Sequence, residues 1–333
     1  MKNNILCCDW GTTSFRLRLV DQHKFKVLAE VQMAEGVAGT FRAWQEQNET
    51  DRFDFYAQKL QALIEDLAAK YGQNLKNVPI IVSGMASSSL GMEEIPYAPL
   101  PFATNGSLAS VKVYENFNGS GSPLVLVSGV RSQEDVMRGE EAQLIGLFDL
   151  PETSIANASD AIFVFPGTHS KHIFVKNGFI VDFQTFMTGE VFNILSEHSI
   201  LKDSIIAGTL PGIAEPLNRY AFKLGVEVSA ASNLLHSIFT VRTCQLFEKF
   251  SKGQNYYYLS GMLIGTELRQ LLSKNTSELI ICSGKNLYEH YKLAAETLGL
   301  NDNVKYIQPE LIDKATIAGQ IQIFKALNLF SYE

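Results

Sequence analysis

The sequence predicts an α/β protein in two halves, and three observations carry that prediction. The chain has 333 residues, more than one hydrophobic core usually organises. Each half opens with strand patterns around a turn rich in glycine and threonine, then continues with helices and short apolar strands. A polar break, PETSIANASD at residues 151–160, separates the two and places the domains at 1–150 and 151–333.

ILCCDW, FRLRLV and FKVLAEVQM predict three consecutive strands, with Phe15, Leu17 and Leu19 alternating against Arg16 and Arg18. Tyr56, Leu60, Leu63, Ile64 and Leu67 fall on one face of a helix over 52–71, which Gly72 stops. VPIIVSGM and PLVLVSGV predict short buried strands, and the region 104–122, ending in NGSGS, a surface loop. A helix follows from about Ser132 to Phe148. In the second half AIFVFPGTHSKHIFV and FIVDFQTF predict strands around the turn KNG. Helices are expected over roughly 189–199, 212–224, 230–250 and 255–273. ELIICSG reads as a strand feeding a helix at 286–298, VKYIQP as a short strand, and KATIAGQIQIFKALNLF as a terminal helix.

Composition narrows the function. Apolar residues make up 46% of the chain and charged residues 19%, with a formal net charge of −7. A general nucleic-acid binder needs a dense basic surface, so that class is disfavoured. A few local cations could still hold a small anionic substrate. The cysteines Cys7, Cys8, Cys244 and Cys282 form no CxxC pair, so they are expected to be reduced and to act as small apolar residues. Asp9 interrupts the only apolar run near the N-terminus, and no stretch reaches membrane-spanning length. A soluble cytoplasmic protein is the expectation, and a homo-oligomer is compatible with the sequence.

Four segments carry candidate chemistry. In DWGTT, Gly11 gives the backbone freedom to converge N–H groups, while Thr12 and Thr13 add hydroxyls, as a phosphate-binding turn requires. Asp9 beside phosphates makes sense as a Mg²⁺ ligand, although a plain hairpin with a turn-capping aspartate has the same spelling. PGTHSK repeats this grammar with Gly167, Thr168 and His169; a hydrogen-bonded turn histidine is the plainer alternative. CSG, with Ser283 and Gly284 between a strand and a helix, would let a flat ring or ribose approach closely, but glycine is common at such turns. In SQEDVMRGEEAQLIG, Ser132 and Asp135 have capping-box spacing. Glu140 shares a helical face with Val136, Leu144 and Leu147, and Glu141 one with Met137, Ile145 and Phe148. Carboxylates on an apolar face suggest a lined cleft, with Arg138 as counter-charge. There is no GxxxxGK[ST], no GxGxxG after the first strand and no protein-kinase motif set.

The order of these motifs resembles the sugar kinase, Hsp70 and actin superfamily. DVMRGEEAQLIG, PGTHSKHI, DFQTFMTGE, LSGMLIGTEL, GMASSSLG and PYAPLP are similar to the 2-dehydro-3-deoxygalactonokinase family over about residues 4–327. The resemblance implies two ribonuclease-H-like domains with ATP between them and a terminal helix crossing back to the first. It implies ATP- and Mg²⁺-dependent phosphorylation of 2-dehydro-3-deoxy-D-galactonate at its 6-hydroxyl, supplying an aldolase in galactonate breakdown. By the same resemblance, Gly11, Thr12, Thr13, Gly167, Thr168 and His169 would hold phosphates, Asp9 the metal, and Ser283 and Gly284 the adenosine. Asp135 would be the base, as an aspartate opening the helix before the second phosphate turn, with Glu140 and Glu141 as alternatives. Gly84, Met85, Ser88 and Arg138 would meet the sugar acid. Kinases of this fold acting on other sugars, or a nucleotide-binding sensor, share the superfamily signals.

Overall fold

The computed structural model describes residues 3–47, 49–155, 158–206, 212–231, 233–273, 278–300 and 304–327. The chain groups into two compact units. Unit 1 comprises Met1–Ala158, Lys176–Asp182 and Leu311–Glu333; unit 2 comprises Ser159–Val175 and Phe183–Glu310.

Unit 1 opens with β1 (Asn4–Trp10), β2 (Phe15–Asp21) and β3 (Lys26–Met33). Helices α1 (Val37–Gln47) and α2 (Arg52–Tyr71) follow, then β4 (Ile80–Gly84). The short strands β5 (Ala98–Pro99) and β6 (Phe102–Ala103) precede β7 (Val111–Tyr114) and β8 (Leu124–Val127). A small hairpin, β9 (Val130–Arg131) and β10 (Val136–Met137), leads into α3 (Glu140–Asp149). The main sheet runs β3-β2-β1-β4-β8-β7, with β1, β4 and β8 parallel and β2 antiparallel to both its neighbours.

Alternation along β1 sorts the faces. Leu6, Cys8 and Trp10 join one core with Leu17, Leu19, Ile80, Val82 and the apolar stripe of α2 (Tyr56, Leu60, Leu63, Leu67). Asp9 lies on the opposite face. Asp51 caps α2 by accepting the Phe53 N–H at 2.8 Å, and Gly72 ends it in the left-handed region at φ 75°. All four cysteines are free and buried, and burial pushes the Cys7 and Cys8 thiols upward, so they behave as inert apolar groups.

Unit 2 contains β11 (Asp160–Phe165), β12 (Ser170–Lys176), β13 (Phe179–Phe186), α4 (Thr188–His198), α5 (Pro216–Ala231), α6 (Leu234–Leu246) and α7 (Lys252–Arg269). Then come β14 (Glu278–Cys282), α8 (Lys285–Thr297) and β15 (Val304–Ile307). Its strands follow the order β13-β12-β11-β14-β15, with β11, β14 and β15 parallel. Five strands of unit 1, β3-β2-β1-β4-β8, have the same order. Both sheets therefore carry the ribonuclease-H-like arrangement.

The last helix, α9 (Pro309–Ala326), belongs to unit 1 from Leu311 onward. The Gln320 amide, 1% exposed, donates to the Cys8 carbonyl and to Ser83 Oγ, both at 2.8 Å, tying α9 to β1 and β4. The first residues of β13 also belong to unit 1, where Phe179 and Ile180 pair with Ala103 and Phe102.

Three expectations are corrected. The helix read from about Ser132 begins at Glu140. Ser132 Oγ accepts the N–H groups of Glu134 and Asp135, and the Ser132 N–H donates to the Asp135 carbonyl, so the capping-box spacing closes a hairpin turn instead. Gly139, at φ 113°, then separates β10 from the helix. Within the expected loop 104–122 lies the edge strand β7, whose Val113 pairs with Val125. Helix α1 had no counterpart in the sequence reading, because only Val37 and Thr40 of it are buried.

Candidate active site

The first candidate site gathers at the ends of β1 and β4. The turn after β1 closes with the Gly11 N–H donating to the Ser14 carbonyl at 2.9 Å, leaving Thr12 and Thr13 exposed. Behind it stands the start of α1. The Val37 and Ala38 N–H groups donate to the Gly11 and Thr12 carbonyls at 2.9 and 3.0 Å. A Cβ on Gly36 would lie 2.3 Å from the Gly11 oxygen, so only glycine permits this brace. The Gly11 and Thr12 carbonyls are thus both engaged by the start of α1, on the side away from the exposed threonines.

Asp9 is half-buried one residue before Trp10. Burial raises its pKa, opposed by Arg16 and Arg18. Its Oδ1 would lie 3.3 Å from a Cβ on Gly84, and Gly84 sits at φ 87°, so a side chain there would be both strained and crowded against Asp9. Among the described residues no cluster of three metal-binding side chains exists. A lone, partly buried carboxylate nevertheless fits Mg²⁺, which is commonly bound by one or two carboxylates, substrate phosphates and waters.

Gly84 opens a short 3₁₀ turn, Met85–Ser87. Ser88, expected at the substrate, is 5% exposed and donates to the Met85 carbonyl at 2.7 Å; its neighbour Ser87 meets Arg138. The Arg138 guanidinium donates to the Ser87 carbonyl at 2.8 Å, to Ser87 Oγ, and to Ser128 Oγ at 3.3 Å. It also stacks 4.2 Å from the Tyr97 ring centre, while its Nε is buried without a hydrogen-bond partner. Gly129 makes this seat possible, since a Cβ there would reach 3.0 Å from Arg138 Cβ and 2.1 Å from the Met137 oxygen. Gly139 faces Gly84, so the Asp9 and Arg138 segments belong to one region of unit 1.

The three carboxylates considered as base stand differently. Asp135 does not open a helix, as expected of it, but is half-buried in the β9–β10 turn and accepts the Val136 N–H at 2.7 Å. Glu140 accepts the Arg138 N–H at 3.1 Å. Glu141 is 1% exposed and accepts the Gly139 N–H at 2.7 Å, while its Oε1 has no partner. Burial and the neighbouring Glu140 push its pKa up to about 8. Glu141 therefore holds its proton at neutral pH and is a poor base there.

The second candidate site lies in unit 2 and repeats the first turn's construction. Gly189 stands behind the β11–β12 turn as Gly36 stands behind the β1–β2 turn. A Cβ on it would lie 2.7 Å from the Gly167 oxygen, and the Glu190 N–H donates to the Thr168 carbonyl at 3.1 Å. Thr168 and His169 are exposed, and His169 Nε2 lies 2.5 Å from Glu190 Oε2. A cavity of about 300 Å³ adjoins this turn, lined among others by Gly167, Thr168, Tyr256, Asn286, Leu287 and His290.

Ser283 and Gly284 do not line that cavity. The Ser283 side chain is fully buried and donates to the Gly284 carbonyl at 3.0 Å, and Gly284 only precedes α8. Residues of the first turns of α8, Asn286, Leu287 and His290, line it instead, which no sequence signal marked. His290 is kept neutral by burial and stacks on Tyr257 with ring centres 6.0 Å apart.

Known proteins match this chain along most of its length. A protein of Rhizobium meliloti (strain 1021) assigned as a 2-dehydro-3-deoxygalactonokinase is 30% identical over 297 residues, 88% of this chain and 89% of that one. The 2-dehydro-3-deoxygalactonokinase of Escherichia coli (strain K12) is 28% identical over 231 residues, 67% of this chain and 72% of its own. A crystal structure of a Sinorhizobium meliloti protein with the same assignment superposes with a TM-score of 0.77 at 26% identity, covering 98% of this chain and all of the other. The model of the family described as 2-keto-3-deoxy-galactonokinase matches residues 9–323, from Asp9 near the end of β1 to the last turn of α9. On a match of that extent, the chain belongs to the 2-keto-3-deoxy-galactonokinase family.

Proposed function

We propose that this protein transfers the γ-phosphoryl group of ATP to the 6-hydroxyl of 2-dehydro-3-deoxy-D-galactonate. The observation that carries the reading is the pair of glycine-braced, hydroxyl-bearing turns, one in each unit, within a family match over residues 9–323. The curated relatives' names supply the sugar acid.

Phosphoryl transfer depends on positioning and charge neutralisation more than on covalent help from the protein. Gly11, Thr12 and Thr13 of unit 1, and Gly167, Thr168 and His169 of unit 2, are the residues assigned to phosphate oxygens. The cavity over Asn286, Leu287 and His290 receives the adenosine, so the adenosine role moves there from Ser283 and Gly284. Asp9 holds Mg²⁺, which when bound neutralises phosphate charge. Arg138, set by Ser87, Ser128 and Tyr97, binds the substrate carboxylate, with Gly84 and Met85 beside it. Asp135 takes the proton of the 6-hydroxyl as the new O–P bond forms and the bond to the β-phosphate oxygen breaks, releasing ADP.

The test is ADP release coupled to a reporter enzyme, with ATP, Mg²⁺ and the sugar acid. The reading predicts turnover far above basal ATPase, and a loss of at least 100-fold in kcat for Asp135→Asn with ATP affinity little changed. Turnover no higher than ATPase would overturn the activity; a fully active Asp135→Asn would overturn only the base. A panel of other aldonic and 2-keto-3-deoxy acids tests the substrate.

A further inference from the structure

Three family-like segments, PGTHSKHI beyond its turn, DFQTFMTGE and LSGMLIGTEL, converge on one buried carboxylate. Glu267, 3% exposed near the end of α7, accepts hydrogen bonds at Oε2 from the Tyr291 hydroxyl at 2.8 Å and from the Thr188 hydroxyl. Its Oε1 lies 3.2 Å from Nε2 of the fully buried His172. Tyr291 is also 3.0 Å from Ser170 Oγ, which accepts the Gly167 N–H at 3.3 Å.

The protons in this chain have one consistent direction. The single hydroxyl proton of Tyr291 goes to the carboxylate, so the Ser170 proton goes to the Tyr291 oxygen, and Ser170 is left as acceptor for Gly167. A line of donors thus runs from the second turn to Glu267. The Thr188 arm reaches the same turn from behind, because Thr188 directly precedes Gly189 and Glu190, which brace Gly167 and Thr168. Glu267 therefore fastens β12, α4 and α8 together at the point where the turn's shape is decided. A carboxylate in so dry a place gives stronger, more directional bonds than a neutral group would.

We propose that Glu267 is a positioning residue for nucleotide binding, setting the Gly167–His169 turn through Tyr291–Ser170 on one side and Thr188 on the other. This rests on the reading that the turn holds nucleotide phosphates.

The experiment measures MgADP binding by calorimetry, and KM for ATP and for the sugar acid, on the full chain. Glu267→Gln, Tyr291→Phe and Thr188→Val are compared with wild type after circular dichroism shows each folded. The expected result is a dissociation constant for MgADP and a KM for ATP each raised at least fivefold, with the sugar-acid KM within twofold of wild type. Thr188→Ser, which keeps the hydroxyl, recovers most of the loss seen in Thr188→Val. A merely structural role would lower the melting temperature but leave nucleotide affinity in the folded variants unchanged, and that outcome overturns the inference. Should Glu267→Gln not fold, Glu267→Asp, which keeps the charge but shortens its reach to Tyr291 and Thr188, decides in its place. A wild type that binds no MgADP removes the nucleotide reading itself; wild-type binding with unaltered variants removes only the role of Glu267.

Discussion

Gly146 of α3 and Gly319 of α9 meet backbone to backbone within unit 1. A Cβ on Gly146 would lie 1.8 Å from the Ala315 oxygen, and one on Gly319 would lie 1.8 Å from the Ala142 oxygen. No rotamer change relieves contacts with backbone atoms, so the helices would have to separate. Gly146→Ala is expected to destabilise unit 1 by about 3 kcal/mol or more, despite alanine's higher helix propensity. Urea unfolding measures this; a stabilised variant would contradict the packing.

Glu141 makes stability depend on pH. Its folded pKa, raised from 4.5 to about 8, means that the folded chain keeps a proton that the unfolded chain releases between those values. That contribution is complete below pH 4.5 and is lost as pH rises through 8, a fall on the order of a few kcal/mol. Glu141→Gln mimics the neutral form. Its stability profile should be flatter across this window and cross above that of the wild type near its upper end. Parallel profiles would place the Glu141 carboxyl in a wetter setting than the structure does.

Arg138 has three partners: Ser87 and Ser128, both met by Nη1, and the Tyr97 ring under the guanidinium. A lysine keeps the charge but cannot reproduce the planar stack on Tyr97, nor offer a second nitrogen to the acid while the first stays on the serines. Arg138→Lys should raise the sugar-acid KM at least tenfold while the KM for ATP stays within twofold. Steady-state kinetics with each substrate varied separately checks this. An equal rise in both constants would show that Arg138 supports the fold of the region instead of reading the acid.

Asp9→Asn keeps the shape of the β1 end and removes the charge. Mg²⁺ with nucleotide should raise the melting temperature of the wild type but shift the variant much less, with kcat down by two orders of magnitude or more. An active variant with an unchanged metal requirement would mean that Mg²⁺ is held elsewhere.

What the sequence disclosed depended on how local each signal is. The three opening strands were legible because Phe15, Leu17 and Leu19 alternate, and α2 because its apolar stripe repeats at helical spacing. Glycine and threonine marked both turns. The helix over 132–148 was overextended because Ser132 and Asp135 carry the same spelling in a hairpin turn as at a helix start, and only the φ of Gly139 separates the two. The braces behind the turns were illegible: Gly36 and Gly189 matter through atoms brought close by the strand–turn–helix path. Glu267 was hidden more deeply, since His172 lies 95 residues from it in sequence. LSGMLIGTEL contained it, but a carboxylate in an apolar helix names no partner until the fold supplies one.

The most direct measurement is the structure of the product. After incubation with ATP and Mg²⁺, phosphorus–proton correlated NMR reads which protons couple to the new phosphate ester. The account predicts a phosphomonoester coupled to the two protons on C6 of 2-dehydro-3-deoxygalactonate, with one ADP formed per ester. Inorganic phosphate as the sole new phosphorus signal beside ADP, or coupling to a different carbon's proton, would contradict it.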